Sequence, residues 1–319
     1  MSELLMIEQR PGDGDSAPWI LDRHGRRMRS YDDSRRTCEV RRGLARHPRV
    51  RSIPADADPR EVKRVIGLLH DAEYLRMLSA VDWDEPTLMP KWSPPELLAD
   101  SPVWAGIVSS AFEGARTAIT AAQRVLAGER YAYAVCRPPG HHAGPDWMGG
   151  YCYLNNAAAA AHTLCEGGLE PVAILDLDFH FPNGTSAIVE HMSGVSLCSL
   201  HASTLENVPW REITPNDGER FVEFELAPDA ATYLGALELM VSETARSGRA
   251  LVLSLGYDTI AADPHGTWLF TSEIFHAIGG VLAACALPVC VVQEGGYALA
   301  ELAACSHSFA SGLLNGGGE

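Results

Sequence analysis

The sequence contains no long apolar run and no closely paired cysteines, and each absence excludes a class of protein. No stretch approaches the roughly 18 consecutive apolar residues that a membrane-spanning helix requires. The eight cysteines form no C-x-x-C pair, which favours reduced core thiols over disulfides or a cysteine zinc site. The N-terminal residues are polar and lack the apolar core of a signal peptide, so we expect a cytoplasmic protein without membrane association.

Repeats, low-complexity segments and a convincing interdomain linker are absent as well. The chain has 319 residues, of which 46% are hydrophobic, and this is enough to bury one large core. We therefore expect a single α/β domain over residues 1–319.

The net charge of −16 is unevenly distributed. Residues 1–64 carry 15 basic and 11 acidic residues, which leaves a net charge of −20 for residues 65–319. The negative charge of residues 65–319 disfavours nucleic-acid binding and would attract a small cationic substrate. The arginine-rich segment 23–51 is predicted to form a solvated helix face with a few ion pairs rather than a basic binding patch.

Short β-branched runs alternate with longer helical patterns along most of the chain. Strands are predicted at 131–136, 172–177, 195–200, 221–226, 251–255 and 289–293. Helices are predicted at 104–127, 154–165, 183–192, 230–247, 272–286 and 298–314, with Asp229 as an N-cap and residues 86–102 as a surface loop. This alternation predicts a central parallel sheet with helices on both faces, in which ligands bind beyond the carboxyl ends of the strands.

Ionisable residues follow two of these predicted strands. Asp176, Asp178 and His180 stand at alternate positions at the end of one strand, so their side chains point the same way. Asp258 follows strand 251–255. Buried neighbouring carboxylates are costly without a compensating cation. We predict one metal ion per chain, held by Asp178, His180 and Asp258 with positions left open for substrate; zinc is favoured, and Fe²⁺ suits the same donors.

Two further loops lie at the same predicted edge of the sheet. A Gly/Pro-rich loop after strand 131–136 contains the adjacent residues His141 and His142. Strand 289–293 is followed by Glu294-Gly295-Gly296-Tyr297, and the two glycines permit a sharp turn that directs Tyr297 towards the metal.

In these strand-end residues and loops the chain resembles the histone deacetylase superfamily. Within it the sequence looks closest to acetylpolyamine amidohydrolases and bacterial histone-deacetylase-like amidohydrolases. The matching motifs are HDAEYL at 70–75, RPPGHHAG at 137–144, GGYCYLNNA at 149–157, DLDFH at 176–180, NGT at 183–185, SLH at 199–201, SLGYDT at 254–259 and EGGY at 294–297. Their order is specific to the family. The resemblance implies an arginase/deacetylase-type fold, with residues 1–64 as an atypical N-terminal part of the same domain.

The resemblance also implies a role for each matching residue. It makes Asp178, His180 and Asp258 the zinc ligands, His141 and His142 the tandem catalytic histidines, and Tyr297 the tyrosine that stabilises the transition state. Asp176 and Asn183 would orient the two histidines, and His142 would carry the proton. Gly150, Tyr151 and Trp210, or Val208 in place of Trp210, would line the substrate channel. A structural K⁺ would be bound by Asp176, Asp178, His180, Ser199 and Leu200.

Two departures from the family pattern stand out. Phe181-Pro182 replaces the usual His-Gly after the ligand histidine. Pro182 and Gly256 also occupy the positions at which arginase-like relatives place carboxylates for a second metal ion, so a second metal is not expected.

The sequence leaves three functions open. The first is deacylation of a small cationic acylated amine such as an acetylpolyamine, with acidic residues at the rim of the channel steering the substrate. These rim residues are Asp82, Asp84, Glu85, Glu96 and Asp100. The second is deacetylation of protein acetyl-lysine, and the third is a pseudoenzyme that only binds acyl-lysine. A homo-oligomer is compatible with the sequence.

Overall fold

The protein is described by a computed structural model that covers residues 2–10, 19–22, 24–94, 97 and 100–316. Its described strands are β1 (Leu4–Glu8), β2 (Trp19–Leu21), β3 (Arg27–Arg29), β4 (Val50–Pro54), β5 (Tyr131–Val135), β6 (Val172–Asp176), β7 (Val195–Ala202), β8 (Glu219–Phe224), β9 (Ala250–Leu255) and β10 (Val289–Gln293). The described helices are α1 (Arg35–Leu44), α2 (Pro59–Leu69), α3 (Ala72–Ser79), α4 (Ala105–Leu126), α5 (Asn156–Glu166), α6 (Asn183–Val189), α7 (Ala230–Ser247), α8 (Glu273–Ala284) and α9 (Leu299–Asn315).

Eight of the strands form one parallel sheet in the order β4-β1-β5-β10-β9-β6-β7-β8. Helices cover both faces, as the alternation of strands and helices predicted. The side chains on the two faces of β5 differ in size. Tyr131, Tyr133 and Val135 join the core beneath α1, α8 and α9, whereas Ala132 and Ala134 face α4 and α5. Small side chains on that second face let the helices pack close to the strands.

All six predicted strands and all six predicted helices are present, with ends that move by up to three residues. Asp229 caps α7, since its carboxylate accepts a hydrogen bond from the Thr232 backbone N–H at 2.8 Å. The predicted surface loop at 86–102 needs correction. It contains a short 3₁₀ turn, Pro90–Trp92, and the Trp92 side chain is buried.

The N-terminal part contributes more regular structure than the sequence indicated. β1 and β4 extend the large sheet beyond β5, and β2 pairs with β3 in a separate antiparallel hairpin. The arginine-rich segment includes α1, and several of its described arginines pair with nearby acids, including Arg35 with Asp33 and Arg41 with Glu8. Within the described residues, no helix is long and apolar enough to cross a membrane.

Candidate metal centre and active site

The three predicted metal ligands converge at the carboxyl ends of β6 and β9. β6 ends at Asp176, so Asp178 and His180 project from the turn that follows, and Asp258 projects from the turn after β9. His180 Nδ1 lies 3.1 Å from Asp178 Oδ1 and 3.2 Å from Asp258 Oδ2. All three potential ligand atoms lie within 4.8 Å of one another. β6 and β9 are neighbours in the parallel sheet, and this adjacency brings the residues together.

The residues of this cluster are suited to a cation. Asp178 and Asp258 are fully buried, and a single imidazole N–H cannot satisfy both carboxylates that face it. In the metal-free protein, burial and the nearby Asp178 carboxylate raise the pKa of Asp258 to about 7. Gly256 and Gly295 leave room around the carboxylates, since a Cβ at either glycine would overlap the Asp178 side chain. Two carboxylates and one histidine match the donors that zinc and Fe²⁺ accept.

The tandem histidines lie beside this cluster and have different partners. His141 Nδ1 is 3.4 Å from Asp176 Oδ2, and its Nε2 is 3.6 Å from Asp178 Oδ1. Burial opposes protonation of His141, but the Asp178 and Asp176 carboxylates outweigh it and raise its pKa to about 10 in the metal-free protein. His142 Nδ1 lies 2.7 Å from Asn183 Oδ1. Burial and the neighbouring His141 hold the pKa of His142 well below its usual range.

Tyr297 lines the same cavity and is held by residues that the sequence did not single out. The Asp263 carboxylate accepts hydrogen bonds from the backbone N–H groups of Tyr297, at 2.6 Å, and Ala298, at 3.1 Å. The fully buried Arg36 donates to the carbonyls of Glu294 and Gly296, and its guanidinium lies 4.5 Å from the Tyr297 ring centroid. Burial raises the pKa of the Tyr297 phenol well above its usual range, so the phenol keeps its proton.

Two more buried groups anchor the histidine loop. The Glu294 carboxylate accepts hydrogen bonds from the backbone N–H groups of Gly140 and His141 at 2.6 and 3.1 Å. His70 Nδ1 lies 2.8 Å from the Gly144 carbonyl, while its Nε2 accepts from the Asn155 N–H at 3.1 Å. The sequence placed both residues inside matching motifs, but their contacts join segments far apart in the chain.

The residues predicted to line the channel surround one cavity of about 290 Å³ above the metal cluster. Gly150 and Tyr151 both have left-handed backbone torsions, with φ of 56° and 69°. Such a φ is costly for tyrosine and natural for glycine. A Cβ on Gly150 would overlap the His142 ring. Val208 and Trp210 both lie in the wall, so the structure brings both alternatives to the channel.

The N-terminal hairpin and other residues complete this wall. Ile20, Leu21 and Met28 face the cavity, as does His265 from the loop between β9 and α8. Ile20 packs in one apolar cluster with Tyr151 and Tyr297. The sequence analysis did not predict the hairpin, because both strands are only three residues long and β3 carries two arginines.

The predicted acidic rim is only partly present. Asp100 lines the cavity, and its carboxylate accepts from the Gly150 N–H at 3.0 Å. Burial raises the pKa of Asp100 to about 6. Asp82, Asp84 and Glu85 are exposed and are not among the described cavity-lining residues, and Glu96 lies outside the described residues. Asp22, on the hairpin, lines the cavity but pairs with Arg26.

The residues predicted to bind potassium also lie together. Asp176 pairs with Ser199 across β6 and β7, and both are fully buried. Within the described part of the chain, Asp176 Oδ2 accepts no hydrogen bond, and its charged neighbour is the His141 imidazole at 3.4 Å. The Ser199 hydroxyl lies 2.8 Å from His201 Nδ1, and Leu200 follows on the same strand.

The structure gives the Phe181-Pro182 departure a physical reason. The buried Phe181 ring packs against His201 and Phe221, with ring centroids 5.0 Å apart in both pairs. Pro182 stands at the N-cap of α6, where no intrahelical N–H donor is needed. Among the described residues, one group of three or more His, Cys, Asp or Glu side chains is close enough to hold a metal ion, and it consists of Asp178, His180 and Asp258.

Comparisons with known proteins identify relatives of this chain. The histone deacetylase domain family matches residues 31–313. The acetylpolyamine amidohydrolase of Mycoplana ramosa is 36% identical over 213 residues, which span 64% of this chain and 62% of that protein. The acetylpolyamine amidohydrolase of Burkholderia pseudomallei is 33% identical over 283 residues, which span 78% of this chain and 82% of that protein.

A solved structure extends the likeness to the whole fold. The crystal structure of acetylpolyamine aminohydrolase from Burkholderia pseudomallei has a TM-score of 0.83 at 29% identity, covering 98% of each chain. The chain therefore belongs to the histone deacetylase family. Its α/β fold, with an eight-stranded parallel sheet, is the one that the resemblance implied.

Proposed function

We propose that this chain is a zinc-dependent amidohydrolase that removes the acyl group from a small acylated amine such as an acetylpolyamine. One observation carries the proposal: Asp178 and His180, which cluster with Asp258, line one cavity together with the His141–His142 pair and Tyr297. Relatives named acetylpolyamine amidohydrolase support the substrate class.

Asp178, His180 and Asp258 would hold the metal. Zinc, when bound, supplies Lewis-acid polarisation of the acyl carbonyl and of the attacking water. The amide Oδ1 of Asn183 can only accept a hydrogen bond, so the proton of neutral His142 sits on Nδ1. His142 Nε2 is then free to take a proton from the attacking water.

The same proton serves the second half of the reaction. An amine leaves poorly unless it is protonated, and His142 Nε2 can return the proton to the leaving nitrogen. The protonated Tyr297 phenol donates a hydrogen bond to the oxygen on which negative charge develops. His141, held between Asp176 and Asp178, supplies electrostatic support beside the reacting carbonyl.

The shape of the cavity favours a small substrate. The volume of about 290 Å³ lies at the lower end of ordinary ligand pockets. The hairpin residues Ile20 and Met28 form part of its wall. The potassium site at Asp176 and Ser199, and a homo-oligomeric assembly, stay predictions.

The test combines metal analysis with an activity screen. Purified chain is freed of metal, reloaded with zinc or with Fe²⁺ under anaerobic conditions, and assayed on N-acetylputrescine, acetylated longer diamines and acetyl-lysine peptides. We expect one tightly held metal per chain and a higher kcat/KM for the diamines than for the peptides. Asp258→Ala should lose the metal and the activity together. Two tightly held metals per chain, or a preference for the peptides, would overturn the corresponding part of the proposal.

A further inference from the structure

His265 occupies a position in the cavity that the proposed reaction does not use. It lies in the loop between β9 and α8 and lines the same cavity as His180 and Tyr297. Its side chain is half-buried, and its ring is surrounded by three tyrosines. The centroids of Tyr297, Tyr31 and Tyr151 lie 4.8, 5.2 and 5.6 Å away, each in an edge-to-face arrangement.

A chain of hydrogen bonds determines how His265 meets Tyr151. The Tyr151 hydroxyl oxygen accepts a hydrogen bond from the Tyr31 backbone N–H at 3.3 Å. The hydroxyl lies 3.1 Å from His265 Nε2, and we assign the Tyr151 proton to this contact, with Nε2 as the acceptor. Because Nε2 accepts, the imidazole proton sits on Nδ1. Burial lowers the pKa of His265 to about 3, which agrees with a neutral ring.

The loop that carries His265 is joined to the turn that carries Tyr297. One oxygen of the Asp263 carboxylate accepts from the His265 N–H at 3.0 Å, and the other accepts from the Tyr297 N–H at 2.6 Å. The two backbones are thus fixed to one buried side chain. Side-chain contact between the His265 and Tyr297 rings adds a second link.

We propose that His265 is a positioning residue that sets two neighbouring tyrosines of the substrate channel, Tyr151 and Tyr297, whose ring centroids lie 5.2 Å apart. Its Nε2 fixes the hydroxyl of Tyr151 and so the channel wall that receives the acylated amine. Its ring edge fixes the plane of the Tyr297 ring and so the direction of the phenol. The effects on kcat and KM rest on the proposed function, whereas the contacts of His265 with the two tyrosines do not.

Two substitutions separate these contacts. His265→Phe keeps an aromatic ring beside Tyr297 but removes the acceptor for Tyr151. His265→Gln keeps an acceptor near the position of Nε2 but removes the ring. We expect His265→Phe to raise KM for N-acetylputrescine by about two- to tenfold with kcat within about twofold. We expect His265→Gln to lower kcat by about two- to tenfold, with a KM close to that of the wild type.

A double-mutant cycle with Tyr151→Phe tests the hydrogen bond without using activity. The free energy of unfolding in urea is measured for metal-free wild type, His265→Phe, Tyr151→Phe and the double variant. The same four proteins, reloaded with zinc, give kcat and KM. If the hydrogen bond is present, the double variant loses less stability than the two single losses added together, and its KM matches that of either single variant.

Each result decides a separate point. Additive stability losses in the cycle would overturn the Tyr151 contact, whatever the activity. An unchanged kcat in His265→Gln would overturn the positioning of Tyr297. A wild-type chain that hydrolyses none of the acetylated amines contradicts the proposed function instead, and in that case the stability cycle still decides whether His265 fixes Tyr151.

Discussion

His142 and Asn183 are joined by a 2.7 Å hydrogen bond between the imidazole Nδ1 and the amide Oδ1, although they lie 41 residues apart in the chain. Asn183 is the first residue of α6, and His142 lies in the loop after β5. An amide oxygen has no proton to give, so this contact places a proton on His142 Nδ1, while burial and the neighbouring His141 favour the neutral form of the ring.

Asn183→Ala should therefore lower kcat without changing the metal content. Loss of the acceptor frees the His142 ring to rotate and to adopt the other tautomer, and partners of this kind are typically worth about 10- to 100-fold in activity. Asn183→Asp is the matched control, since it retains an acceptor at the same position and should lose less activity than Asn183→Ala. Equal kcat in Asn183→Ala and wild type would show that the contact does not orient the proton carrier.

Tyr297→Phe should cut kcat by about 10²- to 10³-fold, the usual effect of removing a hydrogen-bond donor from an oxyanion. The ring and its contact with the Arg36 guanidinium are retained, so the fold and zinc content should stay the same. Tyr151→Phe is the control, because it removes a hydroxyl from the wall of the same cavity and should affect KM more than kcat. Steady-state kinetics with elemental analysis distinguishes these variants, and comparable kcat in the two would remove Tyr297 from its assigned role.

His70 should make the stability of the protein depend on pH below neutrality. Burial lowers its pKa from 6.5 to about 4. Between these pH values the imidazole of His70 is protonated in the unfolded chain but not in the folded chain. The contribution of neutral His70 to the free energy of unfolding is therefore fully present above pH 6.5 and is lost as the pH falls towards 4. The loss amounts to at most about 3 kcal/mol.

The measurement is the free energy of unfolding in urea at several pH values between 7 and about 4. His70→Gln should be less stable than wild type at pH 7 and should lose less additional stability on acidification. The exposed His276 provides the control, since His276→Gln should leave the pH slope unchanged. A slope in His70→Gln as steep as in wild type would exclude His70 as its source.

Asp100→Asn should weaken the preference for a cationic substrate. Asp100 faces the cavity, and asparagine retains an oxygen that can accept from the Gly150 N–H, so the substitution mainly removes charge. The pKa of about 6 means that the carboxyl is ionised at pH 8 and largely protonated below pH 6. At pH 8 and low salt, kcat/KM should fall by about three- to tenfold for N-acetylputrescine and little for a neutral acetamide of equal length.

The control for this prediction is Asp82→Asn, at an exposed position outside the described cavity wall. It should leave kcat/KM for both substrates unchanged. In wild type, added salt should reduce the advantage of the cation, because screening weakens attraction between separated charges. An equal loss for the cation and the neutral amide in Asp100→Asn would mean that Asp100 acts through channel shape rather than charge.

Sequence alone determined the architecture from residue 104 onward and the identity of the clustered side chains. Strands such as β10 are apolar on both faces, and helices such as α7 carry their own N-cap, so local patterns defined them with little help from the rest of the chain. In a parallel sheet the carboxyl ends of strands lie at one edge, and this rule was enough to bring Asp178, His180 and Asp258 together.

Only the tertiary structure decided which residues surround that cluster. The hairpin carrying Ile20 and Met28, Arg36 beneath Tyr297, and His265 between two tyrosines come from segments whose local sequence resembles ordinary surface or loop. It also decided that Asp100 faces the cavity whereas Asp82 does not. The physical reason is that these contacts join residues far apart in the chain, and their geometry depends on how loops from different strands pack at the edge of the sheet.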